Sequence, residues 1–466
     1  MGSGKLMATD HDTSLDPEIS GRMADVCAIL AGDTVPPPEE YFDSGSENPG
    51  SEPVSKQCMI DPGYARAEAR HLWRKVWQMA CREHAIPEVG DYAVYDVLDQ
   101  SVIVVRTGPD QFSAFHNVCQ HRGIKLVTEP GSLGEKGQFM CPFHGWCYDK
   151  QGRLKAMPRA WDFPSLDPAK VALPPVRVDS WDGWIFVNFD PDARPLADFL
   201  GDMLPRHFAL WPQSERHLVS HAVKVIRCNW KAAFEAFLEV YHVPVTHPSG
   251  GKFATDIATK YDEFGPHGRM HLVKFYAPKG VSEQELVDHW IGMGLAAGKD
   301  EIPQAPEGGK ARGVLADYQR DQYSRRTGKD FSRYSDAEML DTLEYFVFPN
   351  FAPWGGFGTN LAYRVRPNGF DPDSCLFEVM VTAPDPAGEK PADAPLTVLP
   401  EGTSWMEAPG MSGLGAILDE DVANLERVQQ GLHSDGYQMM HFARYQERII
   451  RHLHRTVDAW LEAGKG

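Results

Sequence analysis

The spacing of hydrophobic and polar positions changes character along the chain, with the break near Pro191. Between about residue 90 and that proline, short runs rich in Val, Ile, Tyr and Phe are separated by Asp, Gly and Pro turns, a pattern typical of β-strands. Before them, Tyr64–Met79 has helical spacing, with Leu72, Val76 and Met79 on one side. The pattern predicts a leading helix followed by an all-β unit.

After Pro191, helical and strand-like patterns alternate. Asn229–Tyr241 carries apolar residues at positions i, i+3, i+4 and i+7, which predicts a helix with one buried face. A polar, helix-leaning stretch covers residues 281–340, and two helical segments near 419–431 and 437–463 close the chain. The strands predicted from aromatic runs are Tyr345–Phe351, Leu361–Arg366 and Leu376–Thr382. These elements predict an α+β second domain.

The first 60 residues differ from the rest in composition. They are rich in Asp, Glu, Ser, Pro and Gly and include the run Pro36-Pro37-Pro38, which is typical of a flexible extension. The length of 466 residues also favours more than one domain. We therefore expect an acidic, flexible N-terminal extension at 1–60, an all-β domain with its leading helix at 61–191, and an α+β domain at 192–466.

Charge and cysteine content narrow the class of protein. A net charge of −19 argues against a nucleic-acid partner. No apolar run approaches the roughly 20 residues of a membrane span, and no secretory signal is visible, so we expect a soluble, cytoplasmic protein without a membrane partner. Eight cysteines in 466 residues are too few for a disulfide framework, and those close to histidines favour metal binding.

Two cysteine–histidine pairs form the first candidate metal site. Cys119 and His121 are followed, after nineteen residues, by Cys141 and His144. Two thiolates and two imidazoles can hold a structural zinc ion or the two irons of a Rieske cluster. A glycine follows each pair and lets its loop fold tightly, so that backbone N–H groups can point at sulfur, which favours the cluster. Zinc and unrelated buried cysteines remain the alternatives, and we interpret Cys147 as a packed residue.

The second candidate site lies in the predicted helix. Glu239 and His242 are three residues apart, hence neighbours on a helix. His242 and His247 are five apart, about 140° of rotation, so they could share a metal only if Pro244 disrupts the helix. Two histidines and a carboxylate form the facial triad of non-haem Fe(II) oxygenases, and Asp421 is the best carboxylate candidate. Taken alone, a histidine pair in a helix and an aspartate in an acidic run more often have a structural role than a metal-binding one. A cluster at the first site would favour metal binding here, because an electron relay needs an acceptor.

With these motifs, the chain from about residue 62 to its C-terminus resembles the α (oxygenase) subunit of Rieske non-haem iron aromatic-ring-hydroxylating oxygenases. The resemblance implies a Rieske [2Fe–2S] domain followed by a helix-grip (START-like) catalytic domain with an antiparallel sheet. It assigns the two cysteine–histidine pairs to the cluster, and His242, His247 and Asp421 to a mononuclear Fe(II). The family usually has an Asn three residues after the ligand Asp, so the resemblance, through Asn424, favours Asp421 over Asp419.

The resemblance also implies a catalytic junction and partners. Glu239 stands where the family usually has Asp, which bridges a cluster histidine of one subunit to an iron histidine of the next. Glutamate can accept the same two hydrogen bonds, so we expect this role for Glu239. The implied assembly is a homotrimer, with or without a small β subunit. Its electrons come from NAD(P)H through a separate reductase, with or without a ferredoxin.

The implied function is a terminal oxygenase that uses O₂ to cis-dihydroxylate or monohydroxylate an apolar aromatic or polycyclic substrate. The alternatives are a Rieske monooxygenase or demethylase acting on a non-aromatic small molecule, and an electron-transfer protein that uses only the cluster. A carboxylated aromatic would need a cation, for which Arg364 and Arg366 are candidates. The aromatic candidates for the pocket wall are Phe237, Phe346, Phe348, Phe351 and Trp354.

Overall fold

The computed structural model describes most of the chain. The described residues are 26–45, 50–134, 137–247, 258–275, 280–291, 303–305 and 307–464. No helix within these ranges combines the length and the apolar character that crossing a bilayer requires.

The described strands are numbered in chain order. They are β1 (Val54–Ser55), β2 (Gln78–Arg82), β3 (Asp91–Val97), β4 (Gln100–Gly108), β5 (Gln111–His116), β6 (Gly131–Ser132), β7 (Gln138–Met140), β8 (Cys147–Asp149), β9 (Leu154–Ala156), β10 (Pro175–Trp181), β11 (Trp184–Asn188), β12 (Arg216–Ile226), β13 (Thr259–Phe264), β14 (His267–Leu272), β15 (Thr342–Phe346), β16 (Phe351–Gly355), β17 (Leu361–Asn368), β18 (Asp371–Pro384), β19 (Thr397–Leu399) and β20 (Met439–Met440).

The described α-helices are numbered in the same way. They are α1 (Gln57–Ile60), α2 (Pro62–Glu68), α3 (Leu196–Leu200), α4 (Met203–Phe208), α5 (Trp230–Glu235), α6 (Val243–Thr246), α7 (Glu283–Trp290), α8 (Ala311–Thr327), α9 (Asp336–Leu340), α10 (Ser412–Leu432) and α11 (Arg448–Ala463).

The first half of the chain is built on β-sheets. A seven-stranded antiparallel sheet has the order β2-β11-β10-β5-β4-β3-β6. The strands between β6 and β10 in the chain form a separate three-stranded sheet, β7-β8-β9. Val102–Val105 in β4 are fully buried, because neighbouring strands cover both edges and both faces are packed. The all-β character predicted for this region is confirmed.

The second half is built on one larger sheet with helices packed on it. Its eight strands run in the order β13-β14-β15-β16-β17-β18-β12-β19, and all neighbours are antiparallel except β12 and β19. The C-terminal helix α11 packs on β13 and β14, and α5 packs on β17 and β18. The predicted α+β class with an antiparallel sheet is confirmed, and the helices predicted within 281–340 are α7, α8 and α9.

Part of the predicted flexible extension packs against the second half of the chain. Val26, Leu30 and Tyr41 are almost fully buried, and Asp33 forms an ion pair with Arg312 at 2.6 Å. Buried apolar side chains and a buried ion pair therefore fix residues 26–45 against the rest of the chain. The acidic composition of the segment did not indicate this packing. Residues 1–25 of the predicted extension lie outside the described residues.

The helix predicted over Tyr64–Met79 is shorter than expected. The α-helix α2 ends at Glu68, a π-helical turn follows at Ala69–Trp73, and β2 begins at Gln78. Pairing of β2 with β11 overrides the helical periodicity at the end of this segment. The hydrophobic pattern therefore predicted where this helix lies, but not the residue at which it ends.

The two arginines considered for substrate binding instead join the two halves of the chain. Arg364 pairs with Glu378 at 2.6 Å and donates to the carbonyl oxygens of Met79 and Ala80. Arg366 donates to the carbonyl oxygen of Asp96. That interpretation of Arg364 and Arg366 was wrong, because both guanidinium groups are used in packing β17 against the first half.

Candidate metal centres and substrate cavity

Two similar tight turns position the four candidate cluster ligands. The N–H of Gly123 donates to the carbonyl of Cys119, and the N–H of Gly145 donates to the carbonyl of Cys141. Both glycines have positive φ, 76° and 71°, a conformation that side chains resist. The glycine after each cysteine–histidine pair thus closes a tight turn, as the sequence predicts.

The side chains of these turns converge beside aromatic rings, with the two cysteines buried, His121 half-buried and His144 exposed. Cys119 and Cys141 are 1% and 2% exposed, and the rings of His121 and His144 lie 4.6 Å apart. His121 also stacks on Trp146 at 5.0 Å. Its Nδ1 is buried and has no hydrogen-bond partner within the described ranges. Buried thiols and an unpaired imidazole nitrogen fit a metal–sulfur cluster, which would satisfy these atoms.

The segment of the second site is less helical than the sequence predicts. Helix α5 ends at Glu235 instead of continuing to Tyr241, because Phe237 turns into the sheet and stacks on Phe377 at 5.0 Å. The chain resumes as the four-residue helix α6, which contains Pro244 in its first turn. The proline therefore starts a new helix instead of breaking a long one.

This short helix brings three donors together. His242 and His247 flank α6 as its two caps, and Asp421 comes from α10. Asp421 Oδ1 lies 3.5 Å from His242 Nε2 and 3.1 Å from His247 Nε2, and the three donor atoms lie within 4.8 Å of one another. Two imidazoles and one carboxylate at this separation fit a single divalent metal with open positions.

The geometry separates the two aspartates of the acidic run. Asp421 is 4% exposed and faces both histidines, whereas Asp419 accepts hydrogen bonds from the Trp405 backbone N–H at 3.0 Å and from the Ser404 hydroxyl. Asp419 therefore caps a turn, and Asp421 alone of the pair belongs to the candidate metal site.

Two further carboxylates orient the imidazoles. Glu239 Oε1 lies 2.6 Å from His242 Nδ1, and Glu420 Oε2 lies 2.8 Å from His247 Nδ1. Burial alone would lower the pKa of His242, but hydrogen bonds to Asp421 and Glu239 raise it to about 9. Carboxylates behind ligating histidines fix the ring orientation and raise ligand basicity. Glu420 was missed at the sequence level, where only its place beside Asp421 could have indicated it.

A cavity of about 290 Å³ opens from the three donors, close to the lower end of the roughly 300–1,000 Å³ typical of small-molecule sites. Phe237 and Trp354, two of the five aromatic wall candidates, line it. Phe346, Phe348 and Phe351 are buried and do not line it. The apolar part of the described wall includes Ala236, Val240, Val243, Met270, Leu272, Val273, Phe275, Trp290, Leu361, Leu414, Ile417 and Leu418.

Comparisons with known proteins match both halves of the chain. Residues 76–167 match the family model of the Rieske [2Fe–2S] domain, and residues 209–463 match that of the ring hydroxylating alpha subunit, catalytic domain. The candidate cluster ligands lie inside the first match and the candidate iron ligands inside the second.

Individual relatives and structures agree with these matches. The alpha subunit of 2-aminobenzenesulfonate 2,3-dioxygenase from Alcaligenes sp is 33% identical over 312 residues, which cover 63% of this chain and 77% of the relative. The large oxygenase component of the naphthalene 1,2-dioxygenase system of Pseudomonas putida is 36% identical over 49% of this chain and 50% of the relative, so only about half of that protein is matched. A quaternary ammonium Rieske monooxygenase solved with L-carnitine has a TM-score of 0.63 at 17% identity, covering 89% of this chain and 97% of that one, and shows a shared fold.

Proposed function

Because the chain belongs to the Rieske non-haem iron oxygenases, as a ring-hydroxylating α subunit, we propose that it is a terminal oxygenase component. It uses O₂ and electrons from NAD(P)H, delivered by a separate reductase, to hydroxylate a small aromatic or polycyclic substrate. The observation that carries the proposal is the His242–His247–Asp421 triad at the end of an apolar cavity.

Each metal centre has an assigned set of residues in this proposal. The cluster is held by Cys119, His121, Cys141 and His144. The mononuclear Fe(II) is held by His242, His247 and Asp421. Bound together, the two centres supply the electrons and the oxygen activation for hydroxylation, and replacing two thiolates by imidazoles makes the cluster easy enough to reduce to act as a relay.

The remaining residues position and shield the reaction. Glu239 and Glu420 accept hydrogen bonds from the Nδ1 atoms of the two histidines, which leaves each Nε2 free to face the metal. Phe237 and Tyr363, both buried, form part of the cavity wall beside the triad. An apolar wall keeps water out of the site and provides contact area for an apolar substrate ring.

Exposed apolar side chains beside both centres support a head-to-tail homotrimer. Met140 and Phe143 flank the cluster turn and are 67% and 52% exposed, while Tyr241 and Val245 flank the triad and are 58% and 85% exposed. Exposed apolar patches mark interfaces, and two different patches on one chain fit a ring of copies. In this ring the cluster of one copy serves the iron of the next through Glu239. A ferredoxin and a small β subunit are further components that this assembly can include.

We also propose that the protein works in the cytoplasm. None of its eight cysteines forms a disulfide in the described structure, which is in keeping with a reducing environment.

Metal analysis tests the two-centre assignment directly. Purified full-length protein should contain about three irons and two acid-labile sulfides per chain. About two irons and two sulfides in well-folded protein would contradict the mononuclear site and favour a pure electron-transfer protein. Product analysis under ¹⁸O₂, with the reductase supplied, then separates outcomes. Two labelled oxygens in one product indicate cis-dihydroxylation, one indicates monohydroxylation, and an unlabelled demethylated product released with formaldehyde indicates demethylation.

A further inference from the structure

One wall of the cavity contains two buried polar groups that the described chain does not satisfy. Glu344 is 1% exposed and Trp354 is 9% exposed. Both carboxyl oxygens of Glu344 and the indole nitrogen of Trp354 are buried, and none of them makes a hydrogen bond of good geometry within the described ranges, although the indole N–H lies close enough to the carboxyl to act on it. Buried polar groups are nearly always paired, so two adjacent exceptions in a cavity wall indicate a bound partner.

The sheet register places these two groups side by side. Glu344 in β15 is opposite Trp354 in β16 and opposite Met270 in β14, and all three line the cavity. Opposite residues on one face have their Cβ atoms about 5 Å apart. Burial raises the pKa of Glu344 well above its usual range, and the His242 imidazole and the Trp354 indole N–H act against this. Glu344 lines the same cavity as the three candidate iron ligands.

A cation lies farther along the same cavity. Lys274 Nζ donates to Thr359 Oγ1 at 2.7 Å, and Thr359 Oγ1 lies 3.3 Å from Thr342 Oγ1. All three of these side chains line the cavity. Burial lowers the pKa of Lys274 to about 8, so the ammonium form predominates at neutral pH. An ammonium group has three N–H donors, and a hydroxyl partner leaves capacity for an anion.

The spacing along the strand sets the distance between these two ends. Thr342 precedes Glu344 by two residues in β15, which is about 7 Å along a strand. Thr342 belongs to the Lys274 end through Thr359. The same cavity thus offers a carboxyl and an indole N–H, an apolar wall, and an ammonium group that Thr359 connects to Thr342, two strand positions away from Glu344.

Building on the proposed function, we propose that the preferred substrate is a small aromatic acid with an N–H or O–H substituent across the ring from its acidic group. The substituent donates to Glu344, the anion binds Lys274, and the ring lies between them against Phe237 and Tyr363. A hydrocarbon of the same size would leave Glu344 with no donor except the neighbouring Trp354 indole. A site built to hydrogen-bond a substituent rejects analogues that lack it.

Equilibrium binding to the metal-loaded full chain tests this without requiring turnover. The ligands are 4-aminobenzoate and 4-hydroxybenzoate, with 4-methylbenzoate as the match lacking a donor and 4-methylaniline as the match lacking an anion. We expect the first two to bind at least about 10-fold more tightly than either match. The ratio between the amino and hydroxyl compounds identifies which donor the site prefers. Binding no tighter than the matches, or no binding at all, overturns the proposal.

Substitutions of Glu344 and Lys274 test whether these two residues cause the ligand preference. Glu344→Leu should abolish the advantage of the donor-bearing acids over 4-methylbenzoate and leave the affinity for 4-methylbenzoate at least as high. Lys274→Met should abolish the advantage over 4-methylaniline. Glu389→Gln, at an exposed position away from the cavity, should change neither ratio. Because Glu344→Leu removes an unpaired buried carboxyl, its Tm should not fall, which separates lost recognition from lost folding.

The binding result and the oxygenation result can fail separately. If the donor preference holds but ¹⁸O₂ yields no labelled product, the proposed function is wrong and the binding site remains. If labelled product forms but the substitutions leave the ligand ratios unchanged, the oxygenase remains and this substrate class is wrong.

Discussion

Both carboxylate oxygens of Glu239 contact His242. Oε1 lies 2.6 Å from the ring Nδ1, and Oε2 accepts the backbone N–H at 3.0 Å. The carboxylate is thereby fixed by its own chain, yet each oxygen retains a lone pair for another donor. Glu239 can therefore orient one iron histidine and still receive a hydrogen bond from a cluster histidine of a neighbouring copy.

Glu239→Gln should separate metal loading from electron transfer. The amide keeps the shape of the side chain but loses its charge and one acceptor, so both metal centres should still load. In a single-turnover experiment with reduced protein, substrate and O₂, we expect cluster oxidation to slow by about 10–100-fold. Iron and sulfide content, measured on the same sample, should match the wild type. Unchanged oxidation kinetics would contradict the bridging role.

Glu420→Gln is the matched control for this experiment. Glu420 orients His247 as Glu239 orients His242, with a distance of 2.8 Å, but its side chain is 40% exposed. As in Glu239→Gln, both metal centres should still load, but cluster oxidation should not slow to a comparable extent. An equal slowing in both variants would show that imidazole orientation, and not a bridge, controls the rate.

The two aspartates of the acidic run should behave differently on substitution. Asp421→Ala removes a proposed iron ligand, so iron content should fall from about three to about two per chain while sulfide stays at about two. Asp419→Ala removes hydrogen bonds to Trp405 and Ser404, so iron should be retained at a cost of about 1 kcal/mol in unfolding free energy. Iron loss in Asp419→Ala with retention in Asp421→Ala would reverse the assignment.

The sequence predicted those features that depend on neighbours in the chain. Cysteine–histidine spacing and the glycines after each pair indicated two tight turns, and the structure closes them through Gly123 and Gly145. The sequence also predicted that Pro244 would bring His242 and His247 close together. The prediction assumed that the proline breaks one long helix, whereas it lies in the first turn of a separate short helix. Helix α5 stops at Glu235 because packing of Phe237 in the sheet outweighs helical periodicity.

The features that sequence analysis missed depend on strand register and on contacts between distant segments. Glu344 is recognisable as a cavity residue only once β14, β15 and β16 are aligned. Lys274 lies two residues after the end of β14, and no recognisable sequence motif surrounds it. Arg364 looked like a cation for a substrate, but the structure pairs it with Glu378. A charged residue in a strand does not reveal from sequence which face it occupies.

Cys147 tests whether the cluster set is complete with four residues. Its thiol donates to the carbonyl of Gly145 at 3.4 Å from a half-buried position in β8. Cys147→Ser should keep two sulfides per chain and the visible absorbance of the cluster, because a hydroxyl can make the same hydrogen bond. Cys141→Ser should lose both. Loss of the cluster in Cys147→Ser would place this residue among the ligands.

His454 connects the C-terminal helix α11 to the segment that carries the second metal site. Its Nε2 lies 2.7 Å from Glu235 Oε1, at the end of α5, and its Nδ1 lies 3.8 Å from the thiol of Cys58. Burial alone would lower its pKa, but Cys58 and Glu235 raise it to about 10. The imidazole is therefore protonated throughout the neutral range and forms a buried ion pair with Glu235.

This ion pair predicts a stability that falls as pH rises. The pKa of His454 is higher in the folded chain, about 10, than in the unfolded chain, about 6.5. Its contribution is therefore complete below pH 6.5 and is lost as pH rises toward 10, with an upper limit of about 5 kcal/mol. In thermal unfolding scans, the Tm advantage of wild type over His454→Gln should shrink steadily between pH 6.5 and 10. His433→Gln, which breaks the exposed pair with Asp373, should show no such trend. A constant gap for His454→Gln would mean that the imidazole is neutral in the folded protein.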